Sequence, residues 1–507
     1  MGELFLEARN ISKAYEGVQA LDNVGLSLGK GSIHCLVGEN GSGKSTLIKI
    51  IGGVVTSDAG EIVIDGGHFH HLSAIESIRE GIQIIYQDLS LFPNLTVAEN
   101  ISLNQMVERR TQVVDWKEIR AIAERALVEL GEEIDLNILV EDLSVARKQV
   151  VAIGRALTQN AKLIIMDEPT SAITREEVDH LFEVIHRLKA KGIGTLFVSH
   201  KLNEVFEIAE TVTVLRDGRK VGDYDASDLT NDKLTFLMTG ETIEYHPYTV
   251  DSQVVSEPPV LEVRNLTRKD EYTDVSFSVR RGEILGITGL IGSGRTEVAL
   301  SVCGLNQPHS GEILVESEPV TIGSPRKANQ LGISYLPEDR LTQGLFQHQS
   351  IGDNTVIAIL RRLLSKLGLI DWTEKTRVQD HWVNELAIKT PSAEVSASSL
   401  SGGNQQRVVL AKWLATEPKV FFLDGPTIGI DIGSKSNIHE IIRELARKGM
   451  AIVMISDEIE EVRNNCNRIL IMRKGRIAGE IEDPTSVDDA EIFRQISGKN
   501  GSEVPRT

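Results

Sequence analysis

The sequence repeats itself once over a long distance, and this duplication constrains the fold more than any other feature. Residues 6–12 (LEARNIS) return at 261–267 (LEVRNLT). Residues 38–45 (GENGSGKS) return 251 positions later at 289–296 (GLIGSGRT), and GEI at 60–62 returns at 311–313 with the same offset. Two long copies indicate two domains of one fold, not a stack of short repeats.

The repeat also predicts where the domains begin and end. We expect a first domain at 1–240, a linker at 241–259, a second domain at 260–498 and a frayed tail at 499–507. The linker is polar and contains Pro247, Pro258 and Pro259. Such a composition is typical of a connection between elements and not of a strand or helix.

Within each copy, short apolar runs alternate with helical patterns, which predicts an α/β architecture. The runs at 33–37, 82–85, 163–166 and 195–198 are candidates for buried strands, as are 420–423 and 451–455 in the second copy. A helix-rich insert follows the first phosphate-loop motif. One apolar helical face is predicted in it, formed by Ile119, Ile122, Ala126, Leu127 and Leu130.

The stretch at 38–45 fits the pattern G-x-x-x-x-G-K-[ST], lies after a predicted strand and opens a predicted helix. Such a loop wraps a phosphate chain with backbone N–H groups, and an ordinary glycine-rich turn is the alternative. We predict that Lys44 reaches the β- and γ-phosphates of ATP and that the Ser45 hydroxyl binds Mg²⁺. The predicted nucleotide-binding residues here are Gly38, Glu39, Asn40, Gly41, Ser42, Gly43, Lys44, Ser45 and Thr46.

Four further positions fit the chemistry of phosphate transfer. Asp167 and Glu168 follow a predicted buried strand, where Asp167 would hold Mg²⁺ and Glu168 would polarise the attacking water. A helix cap is the alternative for such an acidic pair. Gln87 is predicted to lie beside Mg²⁺ and water, and His200 to contact the γ-phosphate. Tyr15 is a candidate to stack on adenine, with simple packing as the alternative.

The second copy contains LSGGNQQR at 400–407, a stretch that we call the signature. Together with the phosphate loop, the Asp-Glu strand and Ser-His, this stretch resembles the ATP-binding-cassette family. The resemblance implies two tandem P-loop cassettes, each with a RecA-like α/β core, an antiparallel β subdomain and a helical subdomain. It also implies that cassettes pair head to tail, so that Ser401, Gly402 and Gly403 cover the ATP on another cassette's phosphate loop.

The two copies differ at the positions that carry chemistry. The first copy's signature keeps Ser144 but has Val145 and Ala146 in place of two glycines. The second copy has a phosphate loop in which an arginine replaces the lysine, and an arginine does not substitute neutrally for a lysine. Its loop residues are Gly289, Gly292, Gly294, Arg295 and Thr296, and Glu338, Gly425 and Asp457 stand where the first copy has Gln87, Glu168 and His200. Head-to-tail pairing places every one of these changes in one site, which predicts one hydrolytic and one degenerate site.

This asymmetry resembles the fused two-cassette ATPases of bacterial monosaccharide importers, the ribose/xylose/galactoside class. The second copy shares their Arg phosphate loop and a Pro-Glu-Asp-Arg stretch at 337–340. Gly425, Ile428 and Asp457 depart from the Glu, Arg and Ser usual there, so second-site hydrolysis is not expected. The resemblance implies two integral membrane permease subunits, contacted by 89–97 and by the segment after Glu338, and an extracytoplasmic solute-binding protein.

Composition agrees with this interpretation. The formal net charge of −19 disfavours a nucleic-acid partner, which requires clustered Lys and Arg. No apolar run is long enough to span a bilayer and residues 1–6 are not a signal peptide. Cys35, Cys303 and Cys466 are far apart and are predicted to be core residues in a reducing compartment. We expect a peripheral protein at the cytoplasmic face of the inner membrane.

Two alternatives stay open at this point. A tandem-cassette translation factor acting on ribosomes also has two fused cassettes, although it would need basic surface and a long charged linker. An importer of a nucleoside, a polyol or an autoinducer shares the tandem layout with sugar importers. The cargo is chosen by the membrane and solute-binding partners, so the ATPase sequence does not specify it.

Overall fold

The computed structural model describes residues 3–15, 17–108, 114–170, 173–199, 201–242, 248, 257–365 and 367–498. Backbone contacts divide the chain into two compact units, residues 1–243 and 244–507. Most of the predicted linker and the whole predicted tail lie outside the described residues. Each unit is described by itself below.

The first unit contains ten strands and eight α-helices in its described residues. The strands are β1 (Leu4–Tyr15), β2 (Val18–Gly29), β3 (Ile33–Val37), β4 (Ala59–Ile64), β5 (Gly67–Phe69), β6 (Ile82–Ile85), β7 (Leu163–Asp167), β8 (Gly194–Val198), β9 (Thr211–Arg216) and β10 (Arg219–Asp225). The helices are α1 (Lys44–Ile51), α2 (Ala74–Arg79), α3 (Val97–Glu108), α4 (Trp116–Leu130), α5 (Val145–Leu157), α6 (Arg175–Ala190), α7 (Leu202–Ile208) and α8 (Asn231–Thr239).

The second unit repeats this order of elements. Its strands are β11 (Leu261–Arg268), β12 (Tyr272–Val279), β13 (Ile284–Gly289), β14 (Ser310–Val315), β15 (Glu318–Val320), β16 (Ile333–Leu336), β17 (Val420–Asp424), β18 (Ala451–Ile455), β19 (Arg468–Arg473) and β20 (Arg476–Ile481). Its helices are α9 (Arg295–Val302), α10 (Pro325–Gln330), α11 (Ile351–Val356), α12 (Trp372–Glu385), α13 (Gly402–Leu414), α14 (Ile432–Arg447), α15 (Ile459–Asn465) and α16 (Asp489–Ser497).

Each unit is built on two sheets of matching topology. In the first unit, one sheet has the order β10-β9-β3-β8-β7-β6 and is parallel except for the β9–β10 pair. The other sheet has the order β2-β1-β4-β5 and is antiparallel. The second unit has β16-β17-β18-β13-β19-β20 and β12-β11-β14-β15. This confirms the predicted α/β class with an antiparallel β subdomain.

The predicted buried strands are all present. Strands β3, β6 and β18 have the predicted bounds, whereas β7 and β17 extend one residue further to include the terminal aspartate. Every residue of β3, β8, β17 and β18 is buried, as expected of parallel strands covered on both faces. The carboxyl ends of these parallel strands meet at one edge, where ligands bind in open α/β sheets.

The predicted apolar helical face belongs to α4, which packs against α3 and α5. Asp115 caps the start of α4 by accepting hydrogen bonds from two backbone N–H groups, and Gly131 ends it with a φ of 73°. The face is buried, which confirms the predicted core residues Ile119, Ile122, Ala126, Leu127 and Leu130. Helices α11, α12 and α13 form the corresponding group in the second unit.

The cysteines and helices agree with the expectations from composition. Cys35, Cys303 and Cys466 are buried and free, which confirms them as core residues. None of the helices in the described part of the chain combines the length and the apolarity that crossing a membrane requires.

Candidate functional site

The first phosphate loop joins β3 to α1 at the carboxyl edge of the parallel sheet. Gly38, Gly41 and Gly43 have φ angles of 156°, 83° and 100°, a region that residues with a Cβ rarely occupy. A Cβ at Gly38 would overlap the carbonyl oxygen of Leu215, and one at Gly43 would lie 2.6 Å from the carbonyl oxygen of Ala20. The glycines therefore permit the tightly wrapped backbone that phosphate binding requires.

Lys44 is the first residue of α1, and only 6% of its surface is exposed. Its ammonium group donates hydrogen bonds to the carbonyl oxygens of Gly38 at 2.7 Å and Glu39 at 2.9 Å. The first turn of α1 contains no acidic residue and no side chain caps it, so its dipole is available to an anion. The buried hydroxyl of Ser42 has no hydrogen-bond partner among the described residues. This is a cationic, donor-rich lining suited to phosphate.

Asp167, predicted to hold Mg²⁺, and Glu168, predicted to polarise the attacking water, lie at the end of β7. Asp167 is the last strand residue, and Glu168 follows with a φ of 48° and an N–H that donates to the Val198 carbonyl at 3.0 Å. A left-handed backbone costs a residue with a side chain about 1–2 kcal/mol. Burial, together with repulsion from Glu168, raises the pKa of Asp167, whereas Lys44 and Lys49 lower it.

Gln87 follows β6 and lines an open cavity of about 430 Å³ with Ser45 and Asp167. The structure thus brings together the three residues predicted to hold Mg²⁺. Their hydroxyl, amide and carboxylate oxygens are the ligand types that Mg²⁺ prefers. The described residues contain no group of three or more His, Cys, Asp or Glu able to hold a metal by itself. The donor set therefore fits an ion that takes its other ligands from phosphate and water.

Tyr15 is not among the residues that line this cavity. His200 lies outside the described residues, and the buried hydroxyl of its neighbour Ser199 donates to Glu204 at 3.0 Å. Tyr15 is the last residue of β1 and is 43% exposed, with the Lys13 ammonium 5.6 Å from its ring centroid. Strand β11 has 8 residues where β1 has 12, so the second unit lacks this end of the hairpin. Adenine stacking by Tyr15 stays a prediction.

The two signature serines use their hydroxyls differently. Ser144 accepts a hydrogen bond from the backbone N–H of Arg147 at 3.4 Å and so caps its own helix, α5. Ser401 accepts instead from the side-chain amide of Asn404 at 3.0 Å, and no side chain caps α13. The Asn404 carbonyl is held in turn by the N–H of Lys389 at 2.9 Å. The N-terminus of α13 therefore keeps its N–H groups for an external anion.

Packing inside the second unit also leaves little room for a side chain at the signature glycines. A Cβ at Gly403 would overlap the side chain of Ser434 in α14. A Cβ at Gly402 would lie 3.2 Å from the carbonyl oxygen of Gly429 and 3.3 Å from Nη2 of Arg340. The close approach of these glycines to ATP stays a prediction, and internal packing alone already excludes a side chain at Gly403.

The second phosphate loop keeps the backbone of the first. Gly289, Gly292 and Gly294 have φ angles of 159°, 77° and 96°, within 6° of their counterparts. Thr296 lies in the first turn of α9, as Ser45 does in α1. The difference between the loops is therefore in side chains and not in backbone conformation.

Arg295 replaces the loop lysine and is surrounded by carboxylates. Burial lowers the pKa of Arg295, and the charges of Asp457, Asp424 and Glu338 oppose this effect. Its Nη1 atom is buried and has no hydrogen-bond partner among the described residues. The second loop thus has one cation facing several negative groups.

The profile of the ABC transporter family matches residues 21–171 and 272–428, one match in each unit and more than half of the chain in total. The chain belongs to the ABC transporter family. Chains of this family that carry the ATP-binding cassette bind ATP and are ATPases.

Curated relatives match this ABC transporter chain over nearly its whole length. A ribose import ATP-binding protein of Rhizobium johnstonii is 43% identical, covering 94% of this chain and 93% of that protein. A ribose import ATP-binding protein of Caldanaerobacter subterraneus is 40% identical, covering 98% and 100%. A putative ribose/galactose/methyl galactoside import ATP-binding protein of Agrobacterium fabrum is 42% identical, covering 98% and 97%.

The two cassettes of this ABC transporter chain share one unusual backbone conformation after the strand that ends in aspartate. Gly425 has a φ of 55° and its N–H donates to the Ile455 carbonyl at 2.9 Å, as Glu168 does to Val198. A Cβ at Gly425 would overlap Cδ1 of Ile428. The second cassette therefore lacks both the carboxylate and the backbone strain of the first.

Tyr335 is a residue of the second site that the sequence motifs did not predict. Its hydroxyl donates a hydrogen bond of 2.9 Å to Oδ2 of Asp424, which is only 2% exposed. Burial raises the pKa of Asp424 to about 6, against the hydrogen bonds from Tyr335 and Thr296. The repeat offset of 251 aligns Tyr335 with Ile84, and this polar aromatic residue in a buried strand was the available signal.

Proposed function

We propose that this chain is the ATP-hydrolysing subunit of an ABC transporter that imports a simple sugar such as ribose. The observation that supports it most strongly is the match, over at least 94% of the chain, to three relatives named for ribose or galactoside import. The phosphate loop, paired carboxylates and uncapped signature helix are the parts that such an ATPase requires.

In the proposed mechanism the first phosphate loop binds ATP. The Lys44 ammonium exchanges the Gly38 and Glu39 carbonyls for phosphate oxygens, which it binds as a point charge. Glu168 accepts a hydrogen bond from the attacking water and orients it toward the γ-phosphate. Gln87, which lines the same cavity, helps to hold that water. His200 contacts the γ-phosphate.

Mg²⁺ is proposed as the cofactor of this first site. Ser45, Gln87 and Asp167 are the residues that would hold it, because their oxygens line one open cavity. When bound, the ion neutralises negative charge on the β- and γ-phosphates. The carboxylate of Asp167 is half-buried and faces the positive charges of Lys44 and Lys49.

One competent and one degenerate site are proposed for the working transporter. The competent site combines the first phosphate loop and Glu168 with an intact signature, whose serine is Ser401. The degenerate site combines the loop carrying Arg295 with a signature whose serine, Ser144, caps its own helix. Gly425 provides no carboxylate to orient water, so the second site does not hydrolyse ATP.

Chains of this kind work with membrane permease components. We propose two integral permease subunits as the docking partners, reached through the segments after Gln87 and Glu338, and an extracytoplasmic solute-binding protein that acts on the permease. Phe92 and Phe346 are 47% and 56% exposed in these segments. Buried Asn100 and Asn354 hold them in the same way, each bonding both the backbone N–H and the carbonyl of its phenylalanine. The proposed location is therefore the cytoplasmic face of the inner membrane.

The experiment is reconstitution of the chain with candidate permease subunits, in vesicles containing the matching solute-binding protein and ATP. We expect ATP-dependent uptake of labelled ribose and an ATPase rate that rises with the binding protein. Uptake of a nucleoside or polyol instead would change the cargo. An ATPase insensitive to the permease, with ATP-dependent co-sedimentation on ribosomes, would contradict the transporter function.

A further inference from the structure

In the second cassette, the aspartate that ends β17 accepts a hydrogen bond from a tyrosine of the neighbouring strand, β16. Tyr335 in β16 pairs with Phe422 in β17, and Asp424 lies two residues further along on the same face. The tyrosine side chain therefore extends along the sheet to the carboxylate, where its hydroxyl donates at 2.9 Å. Tyr335 and Asp424 are 8% and 2% exposed, so this contact is sealed from solvent.

The first cassette has no such closure. Ile84 pairs with Ile165, and Asp167 lies two residues further along, so an aliphatic side chain stands where the tyrosine would. Asp167 lines an open cavity, and the groups of the described residues that shift its pKa act through burial and charge and not through a hydrogen bond. The equivalent aspartates thus differ in their access to a metal ion. Asp167 faces the open cavity, whereas Asp424 already accepts a hydrogen bond from Tyr335.

Thr296 corresponds to Ser45 of the first loop, and hydrogen bonding from Thr296 lowers the pKa of the Asp424 carboxylate. A divalent ion at Asp424 would have to displace the buried Tyr335 hydroxyl and leave it unpaired. The second site therefore does not fit the Mg²⁺ ion that the family implies.

The positive group available to a ligand at this loop is Arg295. Its Nη1 atom and the Ser293 hydroxyl, on a residue only 4% exposed, are buried without hydrogen-bond partners among the described residues. A guanidinium binds a phosphate through two parallel hydrogen bonds and needs no metal. Glu338 and Asp457, which act electrostatically on Arg295, stand where the first cassette has Gln87 and His200. Their negative charge repels a γ-phosphate.

We propose that the second phosphate loop takes a nucleoside diphosphate without a divalent metal ion, and that Tyr335 excludes the metal by occupying Asp424. This inference rests on the proposed function, because it treats both loops as nucleotide sites of one transporter ATPase. The loop backbone, whose φ angles match those of the first loop, holds the phosphates, and Arg295 supplies the countercharge. The site then retains ADP while the other site turns over.

The test counts ligands on the full-length chain, with ADP measured by equilibrium dialysis and Mn²⁺, as a stand-in for Mg²⁺, by electron paramagnetic resonance. We expect two ADP but one Mn²⁺ per chain. Asp167→Asn should abolish the Mn²⁺ signal, whereas Asp424→Asn should leave it. Two Mn²⁺ per chain, or a single ADP, would overturn the inference. No bound Mn²⁺ at all would instead contradict the proposed function of the first site.

Variants at Tyr335 and Lys44 sharpen the result. In Lys44→Ala, which weakens the first site, the remaining ADP should bind with an affinity that EDTA changes by less than about threefold and that exceeds ATP affinity by about tenfold. Tyr335→Ile copies the first cassette and Tyr335→Phe removes only the hydroxyl that occupies Asp424, so each variant should raise the Mn²⁺ count to two. A Tyr335→Ile chain that still binds one Mn²⁺ would overturn the role of Tyr335.

Discussion

The side-chain amide of Asn404 donates a hydrogen bond of 3.0 Å to the hydroxyl of Ser401, three residues earlier. This contact engages the serine hydroxyl with a side chain of α13 and not with the backbone N–H groups of the helix, whose N-terminus no side chain caps. In the first cassette Arg147 occupies the position three residues after Ser144, and that serine caps α5. The Asn404 amide therefore accounts for the difference between the two signature helices. The N-terminus of α13 is open to an anion, whereas that of α5 is capped by its own serine.

We expect Asn404→Ala to lower ATPase activity while keeping or raising stability. Without the amide, Ser401 can cap α13, and an N-cap is worth about 0.5–2 kcal/mol. When the Ser401 side chain rotates to cap the helix, its hydroxyl no longer reaches the nucleotide, so ATP turnover should fall by about tenfold. Activity and thermal unfolding of one preparation provide the measurement. Ser144→Ala is the matched control, which should lose stability and keep activity.

ATP hydrolysis should depend on Glu168, which follows Asp167, because the equivalent residue after Asp424 is Gly425 and has no carboxylate. Glu168→Gln should leave ATP binding intact and lower turnover by about a hundredfold or more, because the group that orients water is lost. Lys44→Ala should be comparably severe through lost phosphate positioning, whereas Arg295→Ala should leave the chemical step nearly unchanged. Single-turnover hydrolysis in the assembled transporter is the measurement. Two ATP cleaved per pair of sites in the wild type would refute the one-site mechanism, and Gly425→Glu should not create a second cleavage.

Glu168 and Gly425 both have a left-handed backbone. Introducing glycine at 168 and removing it at 425 should therefore change the free energy of unfolding in opposite directions. Glu168→Gly should be more stable than Glu168→Ala by about 1 kcal/mol, because only glycine relieves the strained φ. Both variants should be inactive. Gly425→Ala should destabilise by about 1–2 kcal/mol, since its Cβ would also overlap Ile428. Chemical denaturation of the three variants measures this, and equal stability of the two Glu168 variants would contradict it.

The permease should act through Phe92, which is exposed while its backbone is fixed by buried Asn100. We expect Phe92→Ala to lower permease-stimulated ATPase by about tenfold, because exposed aromatic residues often dominate binding energy. ATPase of the chain alone should change little. Val128→Ala, at an apolar position of α4 that is 71% exposed, is the control and should keep full stimulation. Equal losses in both variants would argue against docking at Phe92.

The buried Asp424 should make stability depend on pH. Its pKa is about 6 in the folded chain against an ordinary value of 3.8, so the folded state binds the proton more tightly. The stability from this proton is fully present below pH 3.8 and is lost as the pH rises through about 6. Asp424→Asn should therefore stabilise on the order of 2–3 kcal/mol at pH 8, with the gain vanishing toward pH 4. Asp380→Asn, at an exposed position of α12, is the matched control for the substitution itself, with thermal unfolding as the measurement.

The sequence by itself determined the features that depend on local pattern. Apolar runs of strand length predicted β3, β6 and β18 with their bounds, because a strand covered on both faces needs continuous apolar residues. The spacing of glycines around Lys44 predicted the wrapped loop, since only glycine tolerates those φ angles. The duplication predicted a second unit of matching topology, and the family profile then matched both copies.

Only the tertiary structure decided how equivalent side chains are used. Tyr335 reaches Asp424 because β16 and β17 pair in one register, and 89 residues separate the two in the chain. Gly403 is required by Ser434 on another helix, a contact that no pattern around the signature reveals. Such contacts depend on which residues the sheet and helix packing bring within hydrogen-bond distance, and local periodicity does not specify them.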